Sequence, residues 1–251
     1  MNKKLAGLIC ATALLGTGSA NAGVMPSDSK LVIDLFSTPQ LTQANFTTGG
    51  ANQVVAPDAI GGYRDVLATQ PGTTGFVSAA INQADLGYLA AAVNFTGASN
   101  IVVTWDGSNL YANADGTVNG IDNTGLTSPD NPEQGIDLGI KGLWLDLVDF
   151  NSFGHDVTAT MSIWNYGGSS FSATHTLGAP EFSYFRFDEF GPGLDPSNVG
   201  AIQLNIASTG NPQGAYNARF DFVTAVPVPA PLALIGLGLI GLGLLRKRIS
   251  G

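Results

Sequence analysis

Between positions 23 and 225 apolar residues recur chiefly at every second position. Val157, Ala159, Met161 and Ile163 alternate with Thr158, Thr160 and Ser162, Ile202, Leu204 and Ile206 with Gln203 and Asn205, and Leu31, Ile33 and Leu35 with Asp34. Period two turns one face of a segment to the core and the other to water, so each run predicts a half-buried strand. Between Ile136 and Leu147 the phase changes, because Ile136, Leu138 and Ile140 are even-numbered while Leu143, Leu145 and Leu147 are odd-numbered. A bulge or break near Lys141-Gly142 restores a single buried face. Further strands are expected over 75–81, 89–95, 101–105, 171–177, 182–187 and 216–223. Asp106-Gly107, Asp115-Gly116, Gly167-Gly168 and Gly210-Asn211-Pro212 supply turns between such runs. About ten short strands without a long amphipathic helix predict an all-β fold, an antiparallel β-sandwich or jelly roll. Only 78–93, rich in alanine, also suits a helix.

The two ends break this pattern. Residues 1–22 carry Lys3 and Lys4, an apolar stretch from Leu5 to Leu15, and small residues at Ala20 and Ala22. That is the layout of a secretory signal peptide cleaved before Gly23, and it implies the Sec translocon and signal peptidase as partners. Residues 226–251 hold Pro227, Val228 and Pro229, then a wholly apolar run from Leu232 to Leu245, then Arg246, Lys247 and Arg248. Fourteen helical residues reach about 21 Å, short of a hydrocarbon core of about 30 Å. Counted from Val226 the segment reaches a spanning length, a C-terminal transmembrane helix. The basic cluster then stays cytoplasmic and the rest of the chain faces outward. The expected domains are therefore a signal peptide at 1–22, an extracellular β-sandwich at 23–225 and a C-terminal sorting or membrane segment at 226–251.

That tail resembles the PEP-CTERM sorting signal of Gram-negative bacteria, in which a proline motif, a glycine-rich apolar helix and an arginine-rich end follow one another. Val228 stands where the family usually has glutamate, so the tail is similar to a PVP variant. The resemblance implies recognition by a membrane-embedded exosortase, passage through the inner membrane, and release to the cell surface or extracellular matrix beside exopolysaccharide and biofilm systems. The second half, through Asp188-Glu189-Phe190 and the stretch Asn198-Val199-Gly200-Ala201-Ile202-Gln203-Leu204, resembles galactose-binding-like jelly rolls often found ahead of such tails.

Charge narrows the function. Five of the ten basic residues sit at the two ends, while all nineteen carboxylates lie between Asp28 and Asp221. So acidic a central region repels phosphate backbones and excludes nucleic acid as a partner. The single cysteine, Cys10, falls inside the signal peptide, which leaves the domain without disulfide or thiol chemistry. Two histidines, His155 and His175, are too few for a zinc centre of ordinary composition. The chain contains no GxSxG, HExxH or P-loop motif, and between positions 23 and 225 no GxGxxG; none of its sixteen aspartates and three glutamates is set apart as a hydrolytic pair.

Two non-catalytic chemistries fit the residue types. Asp115, Asp122, Asp130, Glu133 and Asp137 crowd one long loop and supply the oxygen ligands that a structural Ca2+ takes. Trp105, Trp144 and Trp164, with Tyr111, Tyr166 and Tyr184, can present rings to a sugar, although aromatic residues in a sandwich more often fill its core. Trp164 and Tyr166 lie opposite Met161 and Ile163 and are expected on an open face. The expected function is that of an exported, non-catalytic surface or matrix protein contacting extracellular polysaccharide. The alternative is a carbohydrate-active hydrolase using an Asp or Glu pair.

Overall fold

The computed structural model describes residues 31–45, 49–70, 76–83, 86–94, 98–139, 142–209 and 216–226. The signal-peptide residues Ala20, Ala22 and Gly23, and the tail residues Pro227, Val228, Pro229, Leu232, Leu245, Arg246, Lys247 and Arg248, lie outside them. Among the described residues no helix is long and apolar enough to cross a membrane.

Among the described residues thirteen strands form two antiparallel sheets packed face to face. They are β1 (Leu31–Asp34), β2 (Gln40–Asn45), β3 (Gly50–Val55), β4 (Tyr63–Thr69), β5 (Phe76–Ile81), β6 (Leu89–Asn94), β7 (Ser99–Trp105), β8 (Gly142–Asn151), β9 (Val157–Asn165), β10 (Ser170–Leu177), β11 (Glu181–Arg186), β12 (Val199–Ser208) and β13 (Tyr216–Val226). A seven-stranded sheet runs β11-β8-β13-β6-β5-β2, with β1 also paired to β13. A six-stranded sheet runs β10-β9-β12-β7-β4-β3. From β7 onward the chain changes sheet at every step except β9 to β10, so each sheet is assembled from distant segments.

The alternation is realised most fully in β9 and β12. Val157, Ala159, Met161 and Ile163 are buried while Thr158, Thr160, Ser162 and Trp164 are half-buried on the opposite face, and Ile202, Leu204 and Ile206 repeat this in β12. They meet Leu143, Leu145 and Leu147 of β8 and Ala218, Phe220 and Val223 of β13 in one core, which also holds the fully buried Trp105. Ile140 and Lys141, where the phase changes, lie outside the described residues; β8 starts at Gly142, and Ile136 and Leu138 are buried in the connection before it.

Two expectations change, in strand number and at Asp34, and one open alternative resolves as strand. The strands number thirteen, because β2, β3 and β4 carry little period-two signal. The alanine-rich stretch forms β5 and β6, paired from Phe76–Asn94 to Ile81–Leu89; Ala79 and Ala91 face the core, Ala80 and Ala90 the outside, where they pack with Tyr88. Asp34, expected to face water, is fully buried. Its carboxylate accepts from Arg64 Nη1 at 2.8 and 3.0 Å, Trp105 Nε1 at 2.8 Å and the Phe36 N–H at 2.7 Å. Arg64, also fully buried, donates through Nε to Gln40 Oε1 at 2.9 Å. This polar knot closes one end of the core, tying β1, β2 and β4 to the end of β7.

Candidate functional site

The outer face of the six-stranded sheet carries a polar row. Cross-strand pairing aligns Ser172, Ser162, Gln203, Thr104, Asp65 and Gln53 on one line from β10 to β3. Thr174, Thr160 and Asn205 follow on the next line. On the β10-β9 side this face is open, and hydroxyls pair across it, Thr160 with Thr174 and Ser162 with Ser172, both at 2.8 Å. Gln203 Nε2 donates to Thr104 Oγ1 at 3.0 Å, and Asn205 Oδ1 has no hydrogen-bond partner among the described residues. No Asp, Glu, Lys or Arg occurs in β9, β10 or β12.

The other half of the face is roofed by the connection from β7 to β8. Tyr111 and Ala112 pack on Leu67, Val102 and Ala51, so Thr104 and Val102 are buried while Gln203 and Asn205 lie at the edge of the roof. The connection is clamped from behind. The Leu126 N–H donates to Gly200 O at 2.9 Å, and Ile136 and Val199 exchange N–H···O bonds at 2.9 Å. A Cβ on Gly200 would sit 1.8 Å from Asn123 O, and one on Gly125 1.7 Å from Asp106 O. Glycine is required at both positions for the backbones to approach so closely. The result is a trough with a floor of hydroxyls and amides and one loop-built wall.

Trp164 stands on this floor at the end of β9, between Ser170 and Ala201, and is half-buried. Tyr166 lies in the following turn; its hydroxyl donates to Pro132 O at 3.1 Å, fastening the β9–β10 turn to the wall. The five loop carboxylates are not gathered. Asp115 Oδ1 accepts from the Thr117 N–H at 2.9 Å, and Asp122 Oδ1 from Thr124 N–H at 2.9 Å and Oγ1 at 2.7 Å, so each caps its own turn. Asp130, Glu133 and Asp137 are exposed. Among the described residues no three His, Cys, Asp or Glu side chains converge as metal ligands would.

Three carboxyls that the sequence does not set apart are perturbed. Burial pushes Asp65 up to about 6, and burial together with the charges of Asp65 and Asp122 pushes Asp106 up to about 7. On the opposite sheet, burial and then the charge of Asp221 push Asp146 up to about 6. Near-neutral carboxyls suit general acid catalysis, but Asp65 and Asp106 are only 3% and 1% exposed, which keeps a polymeric substrate from both. Asp146 lies beside a second aromatic group, where Trp144 meets Phe182 at 5.3 Å and Tyr184 edge-on at 5.9 Å between centroids.

No family model matches the chain, and no curated protein does. Solved structures with similar strand arrangements include the family 11 carbohydrate-binding module of cellulosomal cellulase Lic26A-Cel5E of Clostridium thermocellum, at 11% identity over 80% of this chain and 96% of that one, with a TM-score of 0.35. The family 30 carbohydrate-binding module of cellulosomal cellulase Cel9D-Cel44B of the same organism matches at 11% identity over 79% and 98%, TM-score 0.31. The enzymatically active domain of tailspike protein 4 from bacteriophage CBA120 matches at 11% over 83% and 22%, TM-score 0.30.

Proposed function

We propose that this chain is a non-catalytic polysaccharide-binding protein of the cell exterior, and that it holds a neutral glycan in the trough on the six-stranded sheet. One observation carries the reading: in a chain with nineteen carboxylates, the open floor formed by β9, β10 and β12 has no charged side chain, only hydroxyls, amides and Trp164. Such a surface offers many weak hydrogen bonds and one aromatic ring, the mixture that suits sugar hydroxyls and the apolar face of a pyranose. A phosphate-bearing or strongly basic ligand finds no opposite charge on the floor. The signal-peptide layout of 1–22 supports export, and the proline, apolar and basic order of 226–251 supports sorting by an exosortase at the inner membrane.

The test is titration of the purified chain with neutral exopolysaccharide. Trp164→Ala is expected to weaken binding at least tenfold with an unchanged melting temperature, and no reducing ends are expected to accumulate. Equal binding by the variant refutes the trough as the site, and steady release of reducing ends refutes a non-catalytic role.

A further inference from the structure

We propose that Asp65 and Asp106, at the root of the roofing loop, hold one oxygen-seeking divalent cation, Ca2+ by its ligand chemistry, and that this ion pins the loop to the sheet. Asp65 projects from the outer face of β4 opposite Thr104. Asp106 follows the end of β7, two residues beyond Thr104, buried and near enough to Asp65 for that charge to act on it, as diagonal neighbours on adjacent strands are. Each uses one oxygen inside the protein. Asp65 Oδ2 accepts from Gln53 Nε2 at 3.0 Å, and Asp106 Oδ2 from the Asp122 N–H at 2.9 Å. The other oxygen of each, Oδ1, is buried and meets no donor at full hydrogen-bond geometry among the described residues, the Tyr111 N–H being a further donor on the Asp65 side.

Two adjacent carboxylates at 3% and 1% exposure need a compensating positive charge or a proton. Among the described residues no cation faces them. β3, β7 and β12 contain no Lys or Arg, and Arg64, next to Asp65 in β4, is turned to the inner face and engaged by Asp34. The nearest further charge is Asp122, which adds to the repulsion felt by Asp106. Asn109 O shares the Gln53 amide with Asp65, placing a main-chain oxygen in the same neighbourhood. A Ca2+ ion completes a shell of six to eight oxygens from carboxylates, carbonyls and water, so two carboxylates are a sufficient core where three do not converge. The carboxylates of Asp115, Asp130, Glu133 and Asp137 are not required.

The experiment measures Ca2+ binding to the full chain by equilibrium dialysis at pH 7.5, beside melting temperatures in Ca2+, Mg2+ and chelator. One bound equivalent and a rise of several degrees specific to Ca2+ are expected. Asp65→Asn and Asp106→Asn should each lose that equivalent, whereas Asp115→Asn combined with Asp137→Asn should keep it. A crystal soaked in Mn2+ gives a readout that needs no variant: an anomalous peak between Asp65 and Asp106 is expected. No bound ion, an ion retained by both single variants, or a peak only elsewhere overturns the proposal, and each leaves the glycan reading standing because Trp164 tests that separately. Stabilisation by acid alone, with no response to Ca2+, would mean that the pair holds a proton and also overturns it.

Discussion

Arg64 and Asp34 are both wholly buried, joined at 2.8 Å, and this contact allows a quantitative forecast. Removing one member of a buried ion pair leaves an uncompensated charge and costs about 3–5 kcal/mol, against a total stability of about 5–15 kcal/mol for a domain. The two single changes should differ. In Asp34→Asn the guanidinium keeps Asp58 at 3.8 Å, so a loss near the lower figure is expected. In Arg64→Met the Asp34 carboxylate keeps Trp105 Nε1 and the Phe36 N–H but loses its one cationic partner among the described residues, so a loss near the upper figure is expected. The double variant should lose at least 2 kcal/mol less than the sum, because neither charge is then stranded. Urea unfolding followed by far-ultraviolet circular dichroism at pH 7 gives all four values. Single losses under about 1 kcal/mol, or additivity within about 0.5 kcal/mol, would refute the claim that the two residues act as one unit.

In chelator, stability should fall as pH rises from about 4 to 7. Asp65, Asp106 and Asp146 hold protons in the folded state that they lose on unfolding, since burial raises their values to about 6, 7 and 6 above an ordinary 3.8. The shift at Asp106 alone corresponds to about 4 kcal/mol. Thermal melts of Asp106→Asn should show a flatter pH slope and a higher midpoint at pH 8, and an unchanged slope would contradict the assignment. For the tail, mass spectrometry of surface material from a strain with an active exosortase should find no peptide from 232–251; recovery of that peptide intact would mean a plain anchor.

The sandwich is legible where the inward residues are apolar and the outward ones polar, as in β9 and β12. It is illegible where that relation fails. In β2 the core-facing positions are Gln40, Thr42 and Ala44 while Leu41 is 47% exposed, because Gln40 is recruited to hold Arg64. In β4 adjacent charged residues point to opposite faces and both are buried, Arg64 against Asp34 and Asp65 under the loop. Period two cannot register a strand whose charges are matched by partners thirty or more residues away. Trp164 could be placed on the outer face of β9 because its neighbours alternate cleanly, and the hydroxyl floor was already visible as Thr158, Thr160 and Ser162. The loop carboxylates misdirect attention for a different reason: Asp115 and Asp122 cap turns and Asp130, Glu133 and Asp137 face solvent, whereas Asp65 and Asp106 are brought together only by the pairing of β4 with β7.

The place of β13 governs when the molecule can form at all. Its first half pairs with β6, its second half with β1, and its far edge with β8, so without it the seven-stranded sheet falls into β11-β8, β6-β5-β2 and a solitary β1. Of the described strands it is the last to emerge during synthesis, and it closes against the first of them, Leu31 opposite Ala225. Earlier strands must therefore wait with unpaired edges until residue 226 has been delivered, a slow, highly non-local closure. Under the export proposed above, that delay would favour passage in the extended state, since the seven-stranded sheet cannot close until nearly all of its strands are through.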